Sequence, residues 1–499
     1  MAKKDNRIKY NVVSGVVYQV VLIVLSFLLP RLYLENFGSE VNGVLSTIKQ
    51  IFVYMFLLES GVGLATTQAL YKPVAENNRG KVNSVMAATH NYYCKIGYIY
   101  GAIVLVIALV YEFLVPTSIS PGVVFGIVIL TALPALFSYF VQAKYRILLE
   151  VDGRKYVINN SETVLQLLSN IAKILVLLLT DSLLLIQLVY CILYIMQLAY
   201  VFVHAKRRYK WLDLKAKPDY EAVSQRNSVL VHQVSAMVFN NTDIILLSFL
   251  CDFKAASVYT IYNIFFSQVQ TFITSILSGF SFALGQMFHV NREKFLKVYN
   301  VYETFYIMAT FIIYTLMAVF LLPIIEIYTS GINDANYTNV YLVILFVVMN
   351  LLANGKLPSN HVLEFSGKFQ ETRSHAIVEM VINIVVSIVA ILYWGICGAL
   401  VGTIVALLYR GGMMIYHSNK KVLDRSVFNT YKLWLVNGAV FALIMAIFFV
   451  DSFSGLSFLQ LVVKGIIHSL WIVPLYILVN LIFFKGAFKN LIELRRNKE

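Results

Sequence analysis

Ionisable side chains stand where this chain is otherwise apolar. Lys49, Lys95 and Lys173 fall inside hydrophobic stretches of the first half, and Asp243, Glu303 and Glu379 inside those of the second. A charge at membrane depth is costly, so each must face a wet cavity, meet an opposite charge or snorkel to an interface. Spacing groups the acids with other oxygen donors. Asn240 and Asp243 stand at i, i+3, and Glu379 and Asn383 at i, i+4, so each pair is expected on one helix face. Thr403, in the next stretch, offers a hydroxyl. Carboxylate, amide and hydroxyl oxygens suit a hard cation. Proton transfer through Asp243 or Glu379 is the chemical alternative, and interhelical hydrogen bonding the structural one. The lysines offer point positive charges instead. Glu59 and Glu162 are the carboxylates that could neutralise them.

The elements carrying these residues must be membrane helices. Of 499 residues, 59% are hydrophobic and only 13% charged, against about 25% charged in soluble domains, and mean hydropathy is +0.74. Apolar runs long enough to span a bilayer recur along the whole chain. About fourteen spans are expected, near 10–33, 41–71, 83–111, 121–146, 156–179, 182–204, 224–250, 255–287, 298–327, 337–357, 371–393, 396–418, 428–450 and 458–484. Pro134, Pro323 and Pro474 fall inside spans and are candidate kinks. The four cysteines are scattered, with no metal-ligand spacing, and read as small apolar packers.

The net charge of +14 follows topology rather than nucleic-acid binding. Lysine and arginine collect at the N-terminus, at 72–81, 144–155, 206–226, 292–297, 356–373 and 410–432, and after Lys485. The alternate loops hold only Arg31 and Lys254. That asymmetry predicts a multi-pass protein of the plasma (inner) membrane with both termini in the cytoplasm. The basic N-terminus precedes a long apolar run with no small-residue cleavage site, which reads as an uncleaved first helix.

The chain also repeats itself. At a constant offset of 214 residues, Ser14, Val17, Gln19, Val20 and Val24 recur as Ser228, Val231, Gln233, Val234 and Val238. Leu149, Glu150 and Gly153 recur as Leu363, Glu364 and Gly367, with Arg154 opposite Lys368. Each half holds six spans, an even number, so the repeats are parallel. The expected organisation is an N-terminal six-helix lobe at 1–205 and a charged cytoplasmic linker at 206–223. A C-terminal six-helix lobe follows at 224–420, then two extra helices and a basic cytoplasmic tail at 421–499. Asp243 falls opposite Leu29, so it breaks the symmetry of the repeats. Two such lobes suit a transporter with alternating access.

Three stretches carry a resemblance: Phe37–Pro73 (FGSEVNGVLSTIKQIFVYMFLLESGVGLATTQALYKP), Leu148–Tyr156 (LLEVDGRKY) and Asn240–Asn263 (NNTDIILLSFLCDFKAASVYTIYN). With the 6+6+2 layout they resemble the polysaccharide exporters, or Wzx-type flippases, of the multidrug/oligosaccharidyl-lipid/polysaccharide superfamily. The resemblance covers nearly the whole chain. It implies a MATE-like V-shaped cavity between lobes. It also implies export of a polyisoprenyl-diphosphate-linked oligosaccharide from the cytoplasmic to the outer leaflet for cell-surface polysaccharide assembly.

On that reading Lys49, Lys95 and Lys173 meet the diphosphate, Arg146 marks the cytoplasmic entrance and Arg31 the exit. Asp243, Asn240, Glu379, Asn383 and Thr403 form an ion-coupling set. The lipid II flippase branch has a sodium site on its seventh, eleventh and twelfth helices. These positions look similar, with Asp243 and Glu379 as candidate sodium ligands, although Glu379 and Asn383 stand in the reverse order to that branch's motif. Sodium or protons are the expected coupling ions, and no cofactor is implied. Expected partners are the lipid-linked oligosaccharide, membrane lipids and a polysaccharide polymerase, with no nucleic acid, around a monomer. A multidrug cation antiporter of the same fold is the main alternative, but three intramembrane lysines would repel cationic drugs. A membrane polymerase or glycosyltransferase would need a catalytic loop, and no nucleophile-elbow, paired-carboxylate or phosphate-loop motif is present. A passive scaffold leaves the buried charges unexplained.

Overall fold

Long apolar runs punctuated by charged turns fold into helices, because backbone N–H and C=O groups in lipid must be satisfied within the segment. A computed structural model describes residues 2–114, 117–180, 182–223, 227–366, 371–448 and 455–496. In chain order the helices are α1 (Ala2–Met55), α2 (Leu57–Ala75), α3 (Arg79–Leu114), α4 (Pro121–Val141), α5 (Ala143–Val151), α6 (Lys155–Leu179) and α7 (Leu183–Arg208). After the linker come α8 (Asn227–Leu250), α9 (Phe253–Val290), α10 (Arg292–Tyr328), α11 (Val340–Gly355), α12 (Leu357–Phe365), α13 (Arg373–Trp394) and α14 (Ile396–Tyr416). A π-helical turn, His417–Leu423, leads to α15 (Phe428–Phe448), α16 (Phe458–Phe483) and α17 (Lys485–Arg496). Nine of the described helices are long and apolar enough to cross a membrane, and Met237–Leu250 adds a shorter apolar segment.

Most expected spans coincide with single helices, and two do not. The first two are separated within α1 by a non-helical break at Gly38, where φ is 78°, inside the loop expected between them. Glycine adopts that conformation without a Cβ penalty. The second expected span is then divided at Phe56 between α1 and α2. The fourth is divided at Gln142 between α4 and α5.

These breaks show the repeat more clearly than side-chain matches do. The α4–Gln142–α5 element recurs 214 residues later as α11–Lys356–α12. The break at Gly38 likewise recurs at Cys251–Asp252, between α8 and α9. Gly367 and Lys368, partners of Gly153 and Arg154 in the sequence repeat, lie outside the described residues.

The chain divides into two compact units, Met1–Met237 with Asp252–Ser257, and Val238–Cys251 with Val258–Glu499. In the first, α1 packs on α6, α6 on α7, and α3 on α2 and α4. Its core includes the fully buried Tyr93, Tyr100 and Met86. In the second, α13 packs closely on α14, α11 on α14, and α15, α16 and α17 on α10. A buried ion pair, Arg425 Nη2 to Glu303 Oε2 at 2.5 Å, ties the segment before α15 to α10. Glu303 Oε1 also accepts from Thr430.

The segment expected to be a linker is docked on the first unit. Lys81 at the start of α3 pairs with Asp219, Asp219 N–H donates to the Ser84 carbonyl, and Tyr209 donates to Asp152. Hydrogen bonds from Lys81 and the Ala222 amide hold the Asp219 carboxyl below the usual carboxylate range. A carboxyl depressed in the folded state stabilises the docked form above its free value, about 3.9, and that contribution fades as pH falls through the depressed value. Pepsin cleavage within 209–223 is therefore expected to accelerate below about pH 4. At a pH above that window, Asp219→Asn should be cut faster than the parent protein; equal rates would remove this pin.

Candidate functional site

The close approach of α13 and α14 begins in small residues. A Cβ added at Gly402 would lie 2.2 Å from Ser387 Oγ and 2.5 Å from its backbone nitrogen, and one at Gly398 would lie 2.2 Å from the Ala390 carbonyl. Gly398 and Gly402, one turn apart, thus let the two backbones touch, as small residues do between membrane helices. Gly402→Val is expected to force the helices apart at a cost of about 1–3 kcal/mol. Thermal unfolding in detergent reads this, and an unchanged midpoint would contradict it.

That approach sets Thr403 of α14 against Asn383 of α13. Asn383 Nδ2 donates to Thr403 Oγ1 at 2.9 Å. Thr403 Oγ1 lies 3.0 Å from Asp243 Oδ2 and 3.1 Å from the Ala399 carbonyl, so its single proton can go to either acceptor. Tyr259 of α9 donates to Asp243 Oδ2 at 2.8 Å. Asp243, Tyr259, Asn383 and Thr403 are all buried. Two buried oxygens remain without a hydrogen-bond partner: Asp243 Oδ1 and Asn383 Oδ1. Asp243 also has no cationic side chain at ion-pair distance among the described residues. A buried carboxylate with a free oxygen and no counter-charge is a costly arrangement unless a proton or a cation completes it.

Glu379 stands one turn before Asn383 but does not join this set as a cation ligand. Its Oε1 is 2.9 Å from Lys356 Nζ and its Oε2 3.3 Å from Arg410 Nε. Arg410 donates on to the Thr372 carbonyl, and Lys356 lies 5.5 Å from the centre of the Phe239 ring. Two cations therefore already claim the carboxylate expected to share sodium with Asp243. Asn240 also departs from expectation. It is exposed and has contacts of its own, while Asp243 on the following turn is buried. Shared helical spacing aligns side chains along one face but does not bury them equally. Among the described residues no group of three or more His, Cys, Asp or Glu could hold a metal ion.

In the first unit, α1 and α6 bring Lys49 and Lys173 near enough for their charges to interact. Lys173 Nζ lies 4.5 Å from the centre of the Tyr190 ring on α7, a cation–π contact. Among the described residues, neither lysine has a carboxylate at ion-pair distance. The two candidates are otherwise engaged: Glu59 accepts from Tyr93 at 2.9 Å, and Glu162 pairs with Arg146 at 2.7 Å. Arg146 is thus half of a salt bridge. Arg31 is likewise paired, with Glu35 at 2.6 Å. Lys95 is exposed on α3, as Lys49 is on α1; α3 packs against α2 and α4 and meets α1 where Tyr100 lies against Phe52.

Three residues of these arrangements were not singled out from sequence. Tyr259 is one of 32 tyrosines and carries no local signature. Lys356 and Arg410 fall at span ends, where cations ordinarily record topology.

No family profile matches the chain, and no curated protein does. Solved structures are similar in fold. The lipid II flippase MurJ, in an inward closed conformation, superposes with a TM-score of 0.67 over 96% of this chain and 100% of that one, at 13% identity. A multidrug resistance MATE family transporter of the MOP superfamily, inward-facing, gives 0.62 over 85% and 99%, at 11% identity. A MATE transporter from Vibrio cholerae gives 0.52 over 86% and 100%, at 15% identity. The chain is an all-helical, multi-pass membrane protein with the fold of the MurJ and MATE transporters.

Proposed function

We propose that this protein is a flippase for an anionic lipid-linked oligosaccharide, carried on a polyisoprenyl diphosphate and moved from the cytoplasmic to the outer leaflet by alternating access. The observation that carries this reading is the pair Lys49 and Lys173. They stand on packed helices of a membrane fold, near enough to repel each other, and have no carboxylate partner among the described residues. Such a pair invites a multivalent anion and disfavours organic cations, by direct Coulomb repulsion. This weighs for the flippase reading over the multidrug one, although proteins of both kinds share the fold.

Coupling to an ion is assigned to the second unit. The free Asp243 and Asn383 oxygens, with the Thr403 hydroxyl, fit a monovalent hard cation: one carboxylate among neutral oxygens matches one positive charge. Asp243 would supply the charge, Asn383 and Thr403 neutral donors, and Tyr259 would orient the carboxylate. A bound sodium ion would supply there a charge whose occupancy depends on the membrane gradient. The reading is tested by expression in cells that lack their own oligosaccharide flippase and accumulate the lipid-linked precursor inside. Restored surface glycan supports it; persistent internal precursor at normal protein level contradicts it.

A further inference from the structure

Helix α17, KGAFKNLIELRR, has no part in that transport scheme. It is fixed to the protein on one side, where Ala487 is buried and the Phe488 ring lies 5.0 Å from Phe305 of α10. On another side it forms, with the end of α16, an open groove of about 480 Å³. The apolar wall is Leu481, Ile482, Phe488 and Ile492, and the polar wall carries Lys485 and Lys489. Leu481 and Ile482 are the last turn of a helix long and apolar enough to cross the membrane. Ile482 and Ile492 are 61% and 62% exposed, so the apolar wall lies open.

We propose that this groove seats an anionic phospholipid of the surrounding membrane. The headgroup phosphate lies between the Lys485 and Lys489 ammonium groups, and an acyl chain lies along Ile482 and Leu481. Charge complementarity selects the occupant. The two lysines face one carboxylate in the groove, Glu493, which lies a loose 3.9 Å from Lys489 Nζ with both groups largely exposed. That pair is easily exchanged for a phosphate. The apolar wall continues into the span, where acyl chains lie. Basic amphipathic helices at a membrane surface draw on the same two terms, buried apolar area and attraction to anionic headgroups. The site is independent of the substrate assigned above.

The test uses the full chain reconstituted in phosphatidylcholine vesicles with and without phosphatidylglycerol. After mild extraction, native mass spectrometry counts the phosphatidylglycerol retained, and hydrogen exchange reads protection across 485–493. The parent protein is expected to retain phosphatidylglycerol and to gain protection only in the mixed vesicles. Lys485→Glu with Lys489→Glu should lower retention about tenfold, and Lys485→Gln with Lys489→Gln should lower it less. Lys206→Glu with Lys210→Glu, a control reversal elsewhere, should retain the lipid like the parent. Equal retention by all variants, or equal loss from the control reversal, overturns the proposal. So does protection that is the same in phosphatidylcholine alone. If the double glutamate variant fails to fold, the glutamine pair decides: unchanged retention there overturns the site.

Discussion

Lys49→Ala combined with Lys173→Ala is expected to abolish flipping of a lipid-diphosphate oligosaccharide while the protein still inserts and folds. Each lysine offers a charge-assisted contact to phosphate, worth about 1.5–3 kcal/mol when made without competing water. Losing one should therefore slow transport by roughly ten- to a hundredfold, and losing both should remove it. The structural consequence runs the other way. No carboxylate is orphaned by either change, because Glu59 and Glu162 hold other partners. The mutual repulsion of the two lysines disappears, and alanine is the best helix former. Against this stands the lost Tyr190 contact, about 0.5–2 kcal/mol. Thermal stability should accordingly stay close to the parent value, or rise. A packing role for the lysines predicts the opposite pattern: reduced stability with flipping retained. Transport of the labelled lipid and the melting midpoint, measured on the same preparation, separate the two.

Asp243→Asn is the second large effect. The amide keeps the size of the carboxylate and can still accept from Tyr259 and Thr403, so the helix contacts survive. What is lost is the negative charge beside the free Oδ1. If that charge binds the coupling ion, the variant loses its dependence on the sodium or proton gradient. Asn383→Ala, which removes a neutral donor, should leave the dependence in place but weaken the apparent ion affinity by at least about tenfold, ~1.4 kcal/mol. Transport by Asp243→Asn that keeps the parent's response to both gradients would reduce Asp243 to an interhelical hydrogen-bond acceptor.

How far the sequence revealed these sites depends on how rare each residue type is at membrane depth. Asp243, Asn383 and Thr403 could be grouped in advance because an ionisable side chain is costly and rare at membrane depth, and Asp243 marked the place around which neutral oxygens could be sought. Lys49 and Lys173 stood out for the same reason. Tyr259 could not, since tyrosine is at home both in cores and at interfaces. Lys356 and Arg410 were hidden by their positions at span ends, where cations usually face water; only the packing of α11, α13 and α14 shows them turned onto Glu379. Their capture of Glu379 is also why the expected Asp243–Glu379 cation pair does not form. Asn240 is exposed although it shares a helix face with the buried Asp243, because spacing reports direction along a helix and not how far the neighbouring helices extend.

The fold was legible at the level of span positions and the 214-residue repeat, since both follow from apolar length and composition. The breaks were less so. The turn at Gly38 fell inside an expected loop, whereas the divisions at Phe56 and Gln142 fell inside expected spans, and the basic tail after Lys485 is a helix docked on α10.

The central claim, that an anionic lipid-linked sugar is the cargo, is tested most directly in sealed vesicles holding the purified protein. A fluorescent polyisoprenyl-diphosphate oligosaccharide is placed in one leaflet, and its arrival in the other is timed with a membrane-impermeant quencher, with organic cations tested as cargo in parallel. The account predicts transfer of the lipid-linked sugar, loss of that transfer in the Lys49→Ala, Lys173→Ala protein, and no movement of the cations. Cation transport without transfer of the lipid would contradict it.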